Sequence, residues 1–548
     1  MNYSSVSIFS LFLIICFSYA CQVSDESHQT VKLLILSGRN NHDWEKTTPV
    51  LKRIFEKNGY YEVDVTNRPD TFNFEYLARY DVVLSNWNSW PENDLRWPET
   101  MEEGLLQFVK EGGGLVFFHA STSVFYEWPE FRNISTGAWE ENTHHGKRSS
   151  VKITIENHDH PITKGLSDFY IFDEIWVDAG QNEAFEVLGT ASGQPAIFAG
   201  NYGNGRIFHT IPGHDTRSMH NTGFQNLILR GTQWAAKAES NLPLPQEMHT
   251  DEGTAEPEYS WFESDTTFGL FNNEKVTWQF NYNTIWGKPF FHPVYLNRNR
   301  ITCLGPDDHL WHLGQWFSWK FINGVNYWEY IGKTYKSAGI TEIESVEFNR
   351  FPDFSAEITL NIIYHPVKGE EVLEEKRIIH ISPPGDDRIW MDYDIVFKPI
   401  EDSVILDRTP IMGEPEGKSW GGYGGLSIRF NQDFTESRWI SMNDKDTIAL
   451  GSTGDWLYMG FQGLDGSRIG SAMFISNATK RDGAAWYLTN DTETPFYYFS
   501  PAYLYYKPLI LNKGETLRLN YRLLHMAGDV SKEMLVSAYE DYLKTVER

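Results

Sequence analysis

Residues 108–121, FVKEGGGLVFFHAS, constrain the first half of the chain more than any other stretch. Three consecutive glycines, Gly112 to Gly114, stop a helix, and the apolar run Leu115 to Phe118 reads as a buried strand. His119, Ala120 and Ser121 stand where that strand ends. Ligands of open α/β sheets bind at the carboxyl ends of the strands, so a histidine falls where chemistry is expected. The surrounding stretches alternate in the same manner. Residues 31–36 (VKLLIL), 61–66 and 80–86 read as strands. Residues 47–58 and 101–111 read as helices, with Val50, Leu51, Ile54 and Phe55 on one face and Leu105, Leu106 and Val109 on the other helix's face. Strands at 151–155, 196–199 and 206–211 and a helix at 222–237 complete the pattern. Strand–helix alternation predicts an α/β domain over residues 31–237, with a mostly parallel sheet and helices on both faces.

A chain of 548 residues is too long for one core. Residues 238–260 carry Pro243, Pro245 and Pro257 among acidic residues and read as a linker. Beyond it helical periods nearly vanish. Short alternating strands recur at 276–282, 357–365, 375–382, 388–397, 425–430 and 516–525. They predict a large antiparallel β-sandwich over residues 261–530, followed by a C-terminal helix in residues 531–548.

The net charge of −27 argues against a nucleic-acid or anionic-membrane surface. Aromatic residues make up 15 % of the chain, which suits both sugar stacking and aromatic β cores. The apolar run 5–20 ends on a small residue before Cys21, and residues 1–20 resemble a lipoprotein signal peptide. The resemblance implies lipidation of Cys21, a tether over residues 21–30, and a cell-envelope location with the membrane touched only through the lipid. Cys303 then has no disulfide partner.

His42 and Asp43 follow the first strand, and GGGLVFFHAS (112–121), HPITKGL (160–166), Asp173-Glu174, YGNGRIFHTIPGHD (202–215) and GFQNLILRGTQWAA (223–236) follow in order. In this order the residues resemble the ThuA-like, trehalose-utilisation family. The resemblance implies a flavodoxin-like, class I glutamine-amidotransferase-like fold. Amidotransferases of that fold hold a cysteine nucleophile at the strand-to-helix elbow, where this chain has His119-Ala120-Ser121. The only cysteines are Cys16, Cys21 and Cys303, and no GxSxG elbow surrounds Ser121, so glutaminase chemistry is excluded. What remains is a polar set of His42, Asp43, His119, Glu174, His214 and Asp215. Fold analogy gathers His42, His119 and His214 around one crevice. Three roles stay open to them: binding a polyol, moving a proton, or ligating a divalent metal. Strand-end histidines that merely hold loops are the structural alternative. The HHGKR run (144–148) and His158 to His160 read as surface loop.

KPFFHPVY (288–295), GPDDHLWHLGQWFSWKFINGVNYW (305–328) and SWGGYGGLSIRF (419–430) resemble a second family, labelled PmoA-like or methane oxygenase. That label implies a membrane copper enzyme, and no further membrane-spanning run follows residue 20, so the oxygenase chemistry is set aside. Asp307, Asp308, His309 and His312 lie within a few residues of Trp311, Trp316 and Trp319. Acids and histidines beside aromatic platforms suit a sugar site. His309, His312, Asp308, His292, Tyr423 and Glu416 are the candidate catalytic residues, with Glu329 a further carboxylate. Trp311, Trp316 and Lys418 are candidate binding residues. An aromatic core corner is the plain alternative.

These readings converge on an envelope enzyme acting on glycosides or oxidised sugars by acid/base hydrolysis, elimination or isomerisation. The ThuA-like domain then supplies a second sugar site or a partner domain. A surface glycan-binding protein without turnover is the rival reading, and a third places the only active site in the ThuA-like crevice.

Overall fold

The computed structural model describes residues 30–92, 94–238, 242–250, 256–443 and 448–546. The expected signal segment and Cys21 lie outside the described residues.

The first domain opens with strand β1 (Val31–Leu36), helix α1 (Trp44–Glu56), and strands β2 (Tyr61–Thr66) and β3 (Val82–Ser85). Helix α1 begins three residues before the position read from periodicity. Asp43 caps it, accepting a hydrogen bond from the Lys46 amide, and Val50, Leu51, Ile54 and Phe55 are its buried face. Helix α2 (Glu99–Glu111) ends at Gly112, which adopts a φ of 125°. Strand β4 (Gly114–Phe118) starts where a β-carbon on Gly114 would stand 2.6 Å from the Ala235 backbone. The glycine run is therefore a condition of packing strand against helix.

Strands β5 (Ser149–Ile155), β6 (Phe169–Asp173), β7 (Glu186–Ala191), β8 (Gln194–Tyr202) and β9 (Gly205–Thr210) follow, then helices α3 (Thr216–His220) and α4 (Thr222–Ala235). The nine strands form one sheet in the order β2-β1-β3-β4-β9-β8-β7-β5-β6. Pairing is parallel from β2 to β9 and antiparallel from β9 to β6. The expectation of a mostly parallel sheet is thus corrected to half of one. The tight Tyr202–Gly205 turn joins β8 and β9 directly, and a hairpin without a crossover helix can only pair antiparallel.

The second domain is a sandwich of two large antiparallel sheets. One runs from Tyr259–Glu263 through Phe290–Leu296, Gln315–Ser318 and Gly425–Arg429 to Phe496–Pro501 and Trp486–Asp491. The other runs from Gly339–Arg350 through Leu373–Ile381 and Leu517–Ala527 to Thr435–Ser441. Phe268, Trp278, Phe291 and Phe317 of the first sheet share a core with Ile358, Ile379, Tyr393 and Leu519 of the second. Strand 373–381 shows the period-2 alternation plainly, with Leu373, Glu375, Arg377, Ile379 and Ile381 buried. The C-terminal helix (Lys532–Val546) packs Leu535, Tyr539 and Tyr542 against Phe474.

The two domains meet through polar contacts. Thr222, at the start of α4, donates its amide (2.6 Å) and hydroxyl (2.7 Å) to Asp433. Arg53 and Lys57 of α1 hold Asp307 at 3.0 and 2.8 Å. Part of the connecting segment is packed rather than free. Glu247 is buried and accepts from Tyr295 at 2.8 Å, while Met248 joins the core of the first domain.

Candidate functional site

Strand ends of the first domain bring three histidines together. His42 follows β1, His119 ends β4 and His214 follows β9. Their ring centroids lie 4.7 Å (His42–His119), 4.8 Å (His42–His214) and 5.1 Å (His119–His214) apart. One ligating nitrogen from each lies within 4.8 Å of the others. Each Nδ1 faces an acceptor: Asn40 Oδ1 for His42 (3.3 Å), the Ile211 carbonyl for His119 (2.9 Å), and Asp215 Oδ2 for His214 (3.3 Å). His119 Nε2 is buried and has no hydrogen-bond partner among the described residues.

Electrostatics divide the three rings. Burial, with His214 nearby, pushes His42 down to about 4. Burial likewise holds His119 well below its ordinary value. Burial opposes charging of His214 too, but Asp215 and Asp173 outweigh it and raise that ring. Asp173 is fully buried and receives the Gly213 amide at 2.7 Å; burial pushes its carboxyl up to about 6.

The sequence reading missed two members of this surround and misassigned a third. Arg148 and His145 belong to the run 144–148 that reads as surface loop, and His145 is exposed as expected. Arg148 bonds Asp215, and His145 contacts Glu174 at 2.6 Å. Asp43 is spent on capping α1 and pairs with Lys46 at 2.7 Å, so it is a helix cap rather than a substrate contact. Asp215 caps α3 through the Ser218 amide as well as holding His214 and Arg148.

The second domain carries a pocket of about 590 Å³. Trp311, Trp328, Trp420, Tyr423, Tyr487 and Phe496 line it, with His309, His312 and Glu329 among them. His309 and His312 sit in one turn, closed by bonds from the His309 amide to the Pro306 carbonyl and from the His312 amide to the His309 carbonyl. At i, i+3 in a turn they face the same way, and their rings stack at 4.6 Å. His309 Nδ1 lies 3.1 Å from Asp308 Oδ2, which Arg429 also holds at 2.9 Å. Tyr423 donates to Glu329, and Lys320 and Asn326 complete that carboxylate's partners.

Four expected members stand elsewhere. His292 donates to or accepts from Thr302 Oγ1 at 2.9 Å and lines a separate cavity of about 360 Å³ between the domains. Its strand, 290–296, carries it away from the aromatic pocket. Trp316 is buried behind His312, at 5.1 Å between rings, in the aromatic cluster beneath the pocket, on the strand face opposite to Phe317. Glu416 and Lys418 are exposed on a loop and line no part of the pocket. Lys288 went unremarked as a site residue. It is buried under the pocket floor, donates to the Trp328 carbonyl at 2.7 Å, and is pushed down to about 7 by burial.

Comparison with known proteins separates the two domains. Residues 32–235 match the family model described as trehalose utilisation, ThuA. This segment is a ThuA domain. Residues 270–540 match a family of unknown function, DUF6807, where the sequence resemblance pointed to the PmoA-like family. A ThuA-like protein from Parabacteroides merdae is 28 % identical, covering 41 % of this chain and 96 % of its own, with a TM-score of 0.36. One from Bacteroides uniformis is 22 % identical, covering 38 % and 92 %, with a TM-score of 0.32. A glutamine amidotransferase from Thermotoga maritima is 12 % identical, covering 34 % and 76 %, with a TM-score of 0.23. No curated protein matches.

In the ThuA domain the residue that follows the last residue of β4 is a histidine. His119 takes a left-handed φ of 43° just past β4, as the first residue of a short helical turn over residues 119–122. Ser121 Oγ accepts the Phe118 amide at 3.0 Å and is buried, so it is tied to the backbone rather than presented as a nucleophile.

Charge in the aromatic pocket gives a pH signature. Burial works to raise Glu329, but Lys320, Tyr423 and Asn326 outweigh it and hold the carboxyl below its ordinary 4.5. A carboxyl lowered in the folded state stabilises above its unfolded value and loses that stabilisation as pH falls through the folded one. Thermal midpoints of the full chain are expected to drop as pH falls below about 4.5, and Glu329→Gln is expected to shrink that drop. Equal acid sensitivity in the two proteins, measured by calorimetry, would rule the assignment out.

Proposed function

We propose that the chain is a carbohydrate-active enzyme of the cell envelope and that its substrate site is the aromatic pocket of the second domain. The observation that carries this reading is His309, backed by Asp308, opening into a pocket walled by tryptophan and tyrosine. A volume of about 590 Å³ is of the size that small-ligand sites have. Aromatic faces take the apolar face of a sugar ring, and hydroxyls find Glu329, Tyr423, Asp491 and Thr494 around the rim. Asp308 Oδ2 stands 3.1 Å from His309 Nδ1 and is itself held by Arg429, so a fixed carboxylate lies beside the imidazole proposed as general acid/base. Such a group can take a proton from water or from a carbon beside a carbonyl, and can return one to a leaving oxygen. Hydrolysis of a glycoside and elimination or isomerisation of an oxidised sugar all use that step.

The test is mass spectrometry of products from the full chain incubated with glycosides and 3-keto-glycosides. Gain of water marks hydrolysis, and an unsaturated product marks elimination. A panel without product but with measurable sugar binding would replace the enzyme by a glycan-binding protein. The envelope location is part of the same proposal and rests on the lipoprotein-like segment before Cys21. No described helix is long and apolar enough to cross a membrane. In cells, Cys21→Ser is expected to move the protein out of the membrane fraction; unchanged fractionation would refute the anchor.

A further inference from the structure

We infer that His42, His119 and His214 of the ThuA domain bind one divalent transition-metal ion of the zinc type, leaving a coordination position open to an oxygen ligand. This site is separate from the aromatic pocket, and the inference does not depend on the function proposed there.

Three features carry it. First, the ligating nitrogens converge: with no pair more than 4.8 Å apart, a point exists within about 2.8 Å of all three. Zinc–imidazole bonds of about 2.0–2.1 Å need each ring to draw in by less than about 1 Å. A cavity of about 10 Å³, room for a single small occupant, borders all three rings.

Second, the outer partners select the right nitrogen. Asn40, the Ile211 carbonyl and Asp215 all accept at Nδ1, which leaves Nε2 of each ring as the nitrogen free to ligate. Metal-bound histidines are held in this way, with the second ring nitrogen donating to a carbonyl or carboxylate.

Third, His119 Nε2 is buried in a ring only 3 % exposed and has no partner among the described residues. Buried polar nitrogens without partners are rare, and an ion at the cluster centre satisfies this one. The carboxylates of Glu174 and Asp215 add negative charge that acts on the cluster.

Three imidazoles without a carboxylate ligand favour zinc, cobalt, nickel or copper over magnesium or calcium. Three protein ligands rather than four mark a site that keeps a place for water or a substrate oxygen. His42 and His214 are each only partly buried, so the cluster borders the surface on their side.

The experiment uses the full chain after chelator treatment. Zn²⁺ is titrated by calorimetry, and Co²⁺ by visible d–d absorption. One equivalent per chain is expected for each ion. His42→Ala and His119→Ala are each expected to weaken binding by roughly 100-fold or more. His42 is partly exposed, so its variant keeps the test open if loss of the buried His119 impairs folding. His309→Ala is expected to retain the full equivalent, and that result holds whether or not any sugar is turned over. The inference is overturned by a wild-type chain that binds no stoichiometric Zn²⁺ or Co²⁺, by binding that survives in His42→Ala, or by loss of binding only in His309→Ala.

Discussion

Alanine at position 309 is expected to lower product formation in the aromatic pocket by about 10²- to 10⁴-fold, the span of general acid/base catalysis. The imidazole side chain is 36 % exposed, so its removal leaves no sealed cavity and the fold is expected to survive. The check is initial rate on whichever sugar gives product, together with an unchanged far-ultraviolet spectrum. A rate within twofold of wild type would remove His309 from the chemistry. His312 makes a poorer probe. It is 5 % exposed and packed between His309, Trp316 and Tyr498. Alanine there opens a hole in the pocket wall, and lost activity would not separate catalysis from packing. Burial also holds the His312 ring well below its ordinary value, which suits a neutral spacer better than a proton carrier.

Arg377→Met is expected to destabilise the sandwich by about 3–5 kcal/mol, the cost of leaving one member of a buried ion pair alone. Arg377 and Glu375 point inward from the strand 373–381, and their side chains are 2 % and 0 % exposed. Arg377 Nε donates to Glu375 Oε1 at 2.6 Å, and Tyr364 donates to the other carboxylate oxygen. Methionine fills the space of the arginine stem but leaves the Glu375 charge with one hydroxyl. The double variant Arg377→Met, Glu375→Leu removes both charges and is expected to regain most of the loss. Calorimetry of the full chain, following the transition of the second domain, reads both effects. A single variant as stable as wild type would show that the pair contributes nothing the core needs.

How much of this was legible beforehand differs between fold and site. Helix α1, strand β4 and the inward faces of the sandwich strands are written in local periodicity. Burying a repeated face requires only that neighbours i, i+2 or i, i+4 be apolar, and a single chain displays that directly. The ThuA resemblance likewise sits in contiguous motifs. The antiparallel half of the first sheet was less visible, because the hairpin that sets its direction is a two-residue turn between strands that look alike in either direction. Arg148 was passed over since a basic residue in a polar loop looks the same whether it meets solvent or Asp215.

By itself the sequence determined that an α/β domain precedes a β-sandwich, that a histidine replaces any nucleophile at the end of β4, and that acids and histidines accompany tryptophans around residue 309. Only the tertiary structure decided which of those groups share a site. His42, His119 and His214 meet because the sheet order sets β4 beside β9 with β1 only one strand further on, which no spacing along the chain encodes. Tyr423 reaches Glu329 across 94 residues of sequence, while His292 is carried to a different cavity by its own strand. Asp43 lay one residue from His42 and still went to a helix cap, since a carboxylate beside free amides at a helix start is satisfied locally before it can serve a site. Local pattern sets the elements because burial acts on neighbours along the chain. Convergence of side chains depends on how the elements stack, and that is settled only when the whole core packs.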